Sequence, residues 1–91
     1  MARIDNNIIE ISSVGVAIKE SEIRIISISA IASADSSKCV IQDGDGMTIA
    51  LFKSAITNHR TYAPLYLDRK SVKGINCVVF DNMELVIIHL G

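Results

Sequence analysis

The chain has 91 residues and a net charge of −1, from 9 basic and 10 acidic side chains scattered along its length. Such a length supports one domain with a single modest core, and a 49% hydrophobic content without any low-complexity tract excludes a disordered chain. The balanced charge excludes a basic stripe for nucleic acid, and a 4% aromatic content leaves no stacking platform for bases.

The kind of hydrophobicity sets the fold class. There are 16 Ile and 7 Val, but no Trp and only two residues each of Phe and Tyr. β-Branched side chains fit a pleated sheet and are stiff in helices, so the composition predicts strands. No apolar run reaches the ~18 residues of a membrane-spanning helix. The opening Met1-Ala2-Arg3-Ile4-Asp5-Asn6-Asn7 lacks the apolar stretch of a signal peptide, so a soluble protein made in the cytoplasm is expected.

In chain order, residues 1–7 read as a polar N-terminal arm anchored at most by Ile4, ahead of a single domain over 8–91. The first strand region is Ile8–Ile18; Ile9 and Ile11 share one phase and Val14, Val16 and Ile18 the other, with a bulge at Ser12-Ser13. Lys19-Glu20-Ser21-Glu22 reads as a charged turn. Over Glu22–Ala34 the phase set by Ile23 and Ile25 changes to that of Ile26, Ile28 and Ala30, which predicts a second bulge. Asp35-Ser36-Ser37-Lys38 is a turn signal and Lys38–Gln42 a strand.

Asp43-Gly44-Asp45-Gly46 is the strongest turn signal of the chain, because its glycines reach positive φ at little cost. With Met47–Phe52 it makes 38–52 a hairpin, although Ala50–Thr57 also reads as one or two helical turns. A polar connection over Thr57–Pro64 follows, then a short strand Leu65-Tyr66-Leu67 and a turn at Asp68-Arg69-Lys70-Ser71. Gly74–Phe80, a turn at Asp81-Asn82-Met83 and Glu84–Leu90 predict a C-terminal hairpin, apolar on both faces and so buried on both. The sum is an all-β fold: a small antiparallel β-sandwich or barrel of about seven short strands.

Candidate chemistry is sparse. Asp43-Gly44-Asp45-Gly46 lacks the further ligands of a calcium loop, and a hairpin turn accounts for it better. His59 lies in the polar connection and His89 in the last strand, with no spacing that suggests ligation or acid–base work; an edge or interface suits His89 better. No serine sits in a nucleophile elbow. Cys39 and Cys77 lie in apolar runs without a CxxC pattern. Two reduced, buried thiols are the simplest account, and a disulfide is open to them if their strands are neighbours. The expectation is a protein without catalytic, metal or cofactor sites.

The apolar segments outrun what one small interior can hide, and surplus apolar surface marks an interface. The candidate interface residues are Ile4, Ile8, Ile11, Leu85, Ile87, Ile88, His89 and Leu90. The partners expected are further copies of the chain, as a dimer or trimer, and a larger protein assembly, with neither nucleic acid nor membrane.

From Ser21 to Gly91 the order of features resembles the small β-sandwich structural proteins of tailed-bacteriophage particles. The features are the Asp43-Gly44 turn, the hydrophobic segment through Phe52, the loop with Pro64, the Leu65–Leu67 strand, Gly74-Ile75 and the closing Val86-Ile87-Ile88-His89-Leu90. The resemblance implies a capsid decoration or cement protein, or else a minor head–tail component, located in the virion. It transfers no catalytic residue. A cytoplasmic protein-binding β module is the alternative.

Overall fold

The computed structural model describes residues 2–4, 7–54, 62 and 64–91. The regular elements among them are all strands: β1 (Ala2–Ile4), β2 (Ile8–Ile11), β3 (Gly15–Ala32), β4 (Ser37–Gln42), β5 (Thr48–Ser54), β6 (Leu65–Asp81) and β7 (Met83–Leu90). They form one antiparallel sheet in the order β1-β2-β7-β3-β6-β4-β5, an all-β architecture of the class expected.

Two of the strands are far from short. β3 and β6 run for 18 and 17 residues, and each serves two neighbourhoods. β3 pairs with β6 from Gly15 to Ile28 and with β7 from Ile25 to Ala32; β6 leaves β3 at Cys77 and finishes on β4. The sheet therefore coils into two layers: β1, β2, β7 and the end of β3 in one, and the start of β3 with β6, β4 and β5 in the other. A 22 Å cross-section is what two layers spaced about 10 Å apart require. Ile9, Ile11, Ile28, Val86 and Ile88 of the first layer meet Cys39, Ile41, Phe52, Ile75 and Cys77 of the second in one buried cluster.

Bulges carry the chain round these bends, and several stand where turns or hairpin arms were expected. The region 8–18 is divided at residues 12–14 into β2, which pairs with β1 and β7, and the start of β3, which pairs with β6. The charged segment 19–21 is not a turn: β3 continues through it, and Ile18 and Glu22 pair with Ile75 and Lys73, which flank Gly74. The strand persists because Ile18 and Ile23, before and after the bulge, both pack on the core. The bulge expected after Ile25 is present: Ile25 and Ile28 lie three apart, yet both are fully buried. Asp68–Ser71 is likewise not a turn but an irregularity inside β6, where Asp68 takes a φ of 48°. Asp is among the few residues that tolerate that region.

The 38–52 hairpin and its turn are as expected, and 50–54 is strand rather than helix; 55–57 lie outside the described residues, as do 58–61 and 63 of the polar connection. The N-terminal arm is a strand at residues 2–4, paired to β2 as the sheet's outermost member. The C-terminal reversal is real, but its arms do not pair with each other. β6 hydrogen-bonds β3 and β4, whereas β7 hydrogen-bonds β2 and β3. Asn82 is thus a corner between layers rather than a hairpin tip.

That corner is tied down. Asn82 sits at a φ of 52°; its carbonyl accepts from Ser33 N–H at 2.8 Å and its side-chain amide donates to the Asp35 carbonyl at 3.0 Å. At the other end of the second layer, the Gly44 N–H donates to the Lys73 carbonyl at 2.7 Å, docking the β4–β5 turn against the 19–21 bulge. A Cβ on Gly74 would lie 2.7 Å from the Lys19 carbonyl oxygen, and one on Gly44 2.8 Å from that of Lys73, so both positions need glycine. Tyr62 joins the layers: its N–H donates to Ala30 of β3 at 2.9 Å, its ring meets Phe52 of β5 edge-on at 5.3 Å, and its hydroxyl is hydrogen-bonded to Ser37 of β4.

Candidate interaction surface

Inward and outward positions alternate along β4: Ser37, Cys39 and Ile41 are buried, while Lys38, Val40 and Gln42 face out. The outward set would be polar on a strand facing water, yet Val40 is apolar and so are its neighbours. Val40 pairs with Leu51 of β5 and with Val79 of β6. Leu51 is 57% exposed, and Val40 and Val79 are half-buried. One row of the register away, Val16 (61% exposed) pairs with Asn76, which pairs with Gln42. The apolar row is bordered on one side by Lys53, Lys38 and Asp81, and on the other by Thr48, Gln42 and Asn76. An apolar centre between polar rows is the plan of a protein–protein contact. Beside it, β5 ends the strand order and leaves one backbone edge without a strand among the described residues.

The other layer presents a second outward row. Leu85 pairs with Ile31, Ile87 with Ser29 and Glu10, and His89 with Ser27 and Ile8. Leu85, Ile87, His89, Ile8 and Ile31 are half-buried, and Ile4 on β1 is 56% exposed. The residues named from the sequence are therefore divided. Ile11 and Ile88 cannot serve as interface: they are 1% and 0% exposed, because their strands alternate and those positions point into the core. Leu90 packs half-buried against that core. Ile4, Ile8, Leu85, Ile87 and His89 remain at the surface. His89 lies on an interior strand of the sheet, not at an edge.

The row Val40–Leu51–Val79 was missed in the sequence, although a signal existed. Val40 stands between Cys39 and Ile41 without polar alternation, and Leu51 does so between Ala50 and Phe52. Neither run, read as strand or (for Ala50–Thr57) as helical turns, pointed in that reading to an apolar outer face.

The remaining polar groups converge little. The Asp43 carboxylate is spent on its own turn, its Oδ1 accepting from Asp45 N–H at 2.9 Å and Met47 N–H at 3.0 Å. Among the described residues no three His, Cys, Asp or Glu side chains are grouped to hold a metal ion. His59 lies outside the described residues. A hollow of about 320 Å³ at the docked turn is lined, among the described residues, by Lys19, Gly44, Asp45 and Lys73, two cations and one carboxylate. Cys39 and Cys77 are free thiols, both fully buried.

Compared with protein families, with curated proteins and with solved structures, the chain matches none.

Proposed function

We propose that the protein is a non-enzymatic structural component that works by fixing itself to other protein surfaces, its own copies first among them. The observation that carries this reading is the exposed apolar row Leu51–Val40–Val79 beside the open edge of β5. The inward faces of both layers already fill the interior, so this row has no internal use. Burying it in an assembly would recover roughly 25 cal/mol per Å² of apolar surface.

In its most specific form the reading is a capsid decoration or cement protein, carried in the virion and seated at subunit junctions where it adds buried area. Its support is the order of features from Ser21 to Gly91. The open β5 edge favours a second form, a protein-binding β module that adds a partner's strand to its sheet.

The test is the solution mass of the purified chain by light scattering across a dilution series. A stable species at a multiple of the 9.9 kDa chain is expected. A monomer at every concentration overturns self-assembly.

A further inference from the structure

The two thiols stand on neighbouring, hydrogen-bonded strands. Cys39 faces inward on β4 and Cys77 inward on β6, the neighbouring strand. Cys39 pairs with Phe80 and Val40 with Val79, but Ile41 then pairs with Cys77, so Val78 is bulged out. Without that bulge Cys77 would stand opposite Gln42. The bulge draws it one residue nearer to Cys39 and turns it to the same interior as Phe80, three positions away. Each thiol lies near enough to the other to shift its titration, and Cys77 Sγ–H donates to the Val79 carbonyl at 3.5 Å. Nothing in the fold requires thiols here; two small apolar side chains would fill the same space.

We infer that Cys39 and Cys77 are a dithiol–disulfide pair whose oxidation staples the β4–β5 hairpin to β6. The oxidant is a small-molecule disulfide of the glutathione type. The Cys77 thiolate attacks it, releasing one small thiol and leaving a mixed disulfide. The Cys39 sulfur then displaces the second small thiol as the Cys39–Cys77 bond forms. One small disulfide becomes two small thiols, and the two protons lost by the cysteines end on them.

Cys77 is the attacking group because its pKa is lowered by the hydrogen bond from Cys39, which supports its thiolate. The Cys39 thiol is held well above the ordinary range by that same bond and by burial, and this keeps it protonated until the second step. Full burial makes opening of the hairpin the gate. Among the described residues β5 ends the strand order and pairs with β4 alone, so β4 and β5 can lift together. The bond would then remove that opening, and it closes a long loop of the unfolded chain.

The experiment incubates the full chain in glutathione buffers from reducing to oxidising, followed by intact mass under denaturing conditions and by thermal melting. Expected is the loss of two hydrogen atoms within one chain, with a rise in Tm on the order of 10 °C that a reductant reverses. Cys39→Ala and Cys77→Ala, melted without oxidant to confirm folding, should show no such rise. Thiols that stay reduced in the most oxidising buffer would overturn the proposal, as would glutathione adducts or interchain dimers as the only products.

Discussion

The outward rows of the two layers are built from the same kinds of residue but are sheltered differently. In the first layer Ile87 stands on β7 with a strand on either side, opposite Ser29 and Glu10, and is half-buried. In the second layer Leu51 stands on β5, the last strand of the order, and is 57% exposed. Residue type is nearly constant between the two, so strand order decides the exposure. An apolar residue on an interior strand is flanked by neighbours that share its cover, whereas one on an edge strand has a neighbour on one side only. The first row can persist in a free monomer; the second is costlier to leave in water.

The sharpest way to break this comparison is to place a charge on each face of one strand. Ile88 is fully buried and Ile87 half-buried on the same β7. Ile88→Asp should cost about 4 kcal/mol or more and leave the chain unfolded, since a lone buried carboxylate cannot be solvated. Ile87→Asp should cost only about 1 kcal/mol and leave a folded chain. Urea titration followed by circular dichroism reads both. Equal losses would mean that β7 is covered on both faces, as its sequence alone suggested.

The docked turn of the second layer gives the next effect. Gly74 has a φ of 86° and no room for a Cβ, whereas Gly46 has a φ of 87° and nothing within 4 Å of where a Cβ would go. Gly46→Ala should therefore show the backbone strain alone, about 1 kcal/mol. Gly74→Ala adds a clash with the Lys19 carbonyl and should cost about 2–4 kcal/mol. The difference in denaturation midpoint isolates the close approach. If the two variants melt together, the turn does not press on the bulge.

At the opposite corner, Asn82→Ala removes the amide that holds the Asp35 carbonyl and places alanine at a φ of 52°. A loss of about 1–2 kcal/mol is expected, against a much smaller one for Asn82→Gly, which relieves the strain but not the lost bond. Melting curves of the two variants separate the contributions.

How far the sequence showed all this follows from what each signal can report. The Asp43–Gly46 turn was legible because most of its chemistry is local: the Asp43 carboxylate and the positive φ of Gly46 act within five residues. The bulge after Ile25 was legible because a phase change in an apolar run must be absorbed somewhere. Lys19–Glu22 and Asp68–Ser71 were misread as turns because charged residues suit turns and bulges alike. What keeps the strand going there is the packing of Ile18, Ile23, Val72 and Ile75 on the core, a long-range fact. The Asn82 reversal was legible as a reversal, but the partners of its arms were not, since a turn signal does not say which strands hydrogen-bond. The interface residues were half legible for a related reason. A near-continuous run such as Leu85–Leu90 shows that both faces are apolar, and only the register shows that Val86 and Ile88 are the inward ones.

The smallest expected effect on stability is the one that bears most on function. Leu51→Asp changes a side chain that is 57% exposed, on an edge strand, two positions along the same face from the exposed Lys53. In the monomer the new carboxylate stays in water, so stability should change by less than about 0.5 kcal/mol. In an assembly that buries the row Leu51–Val40–Val79, the same carboxylate would be desolvated without a partner and the complex should dissociate. Light scattering should then show the variant as a folded monomer at concentrations where the unaltered chain is assembled, with Ile87→Asp as the companion probe of the other row. If Leu51→Asp leaves the assembly intact and Ile87→Asp dissolves it, the contact lies on the sheltered layer, and exposure is the wrong guide to where this protein binds.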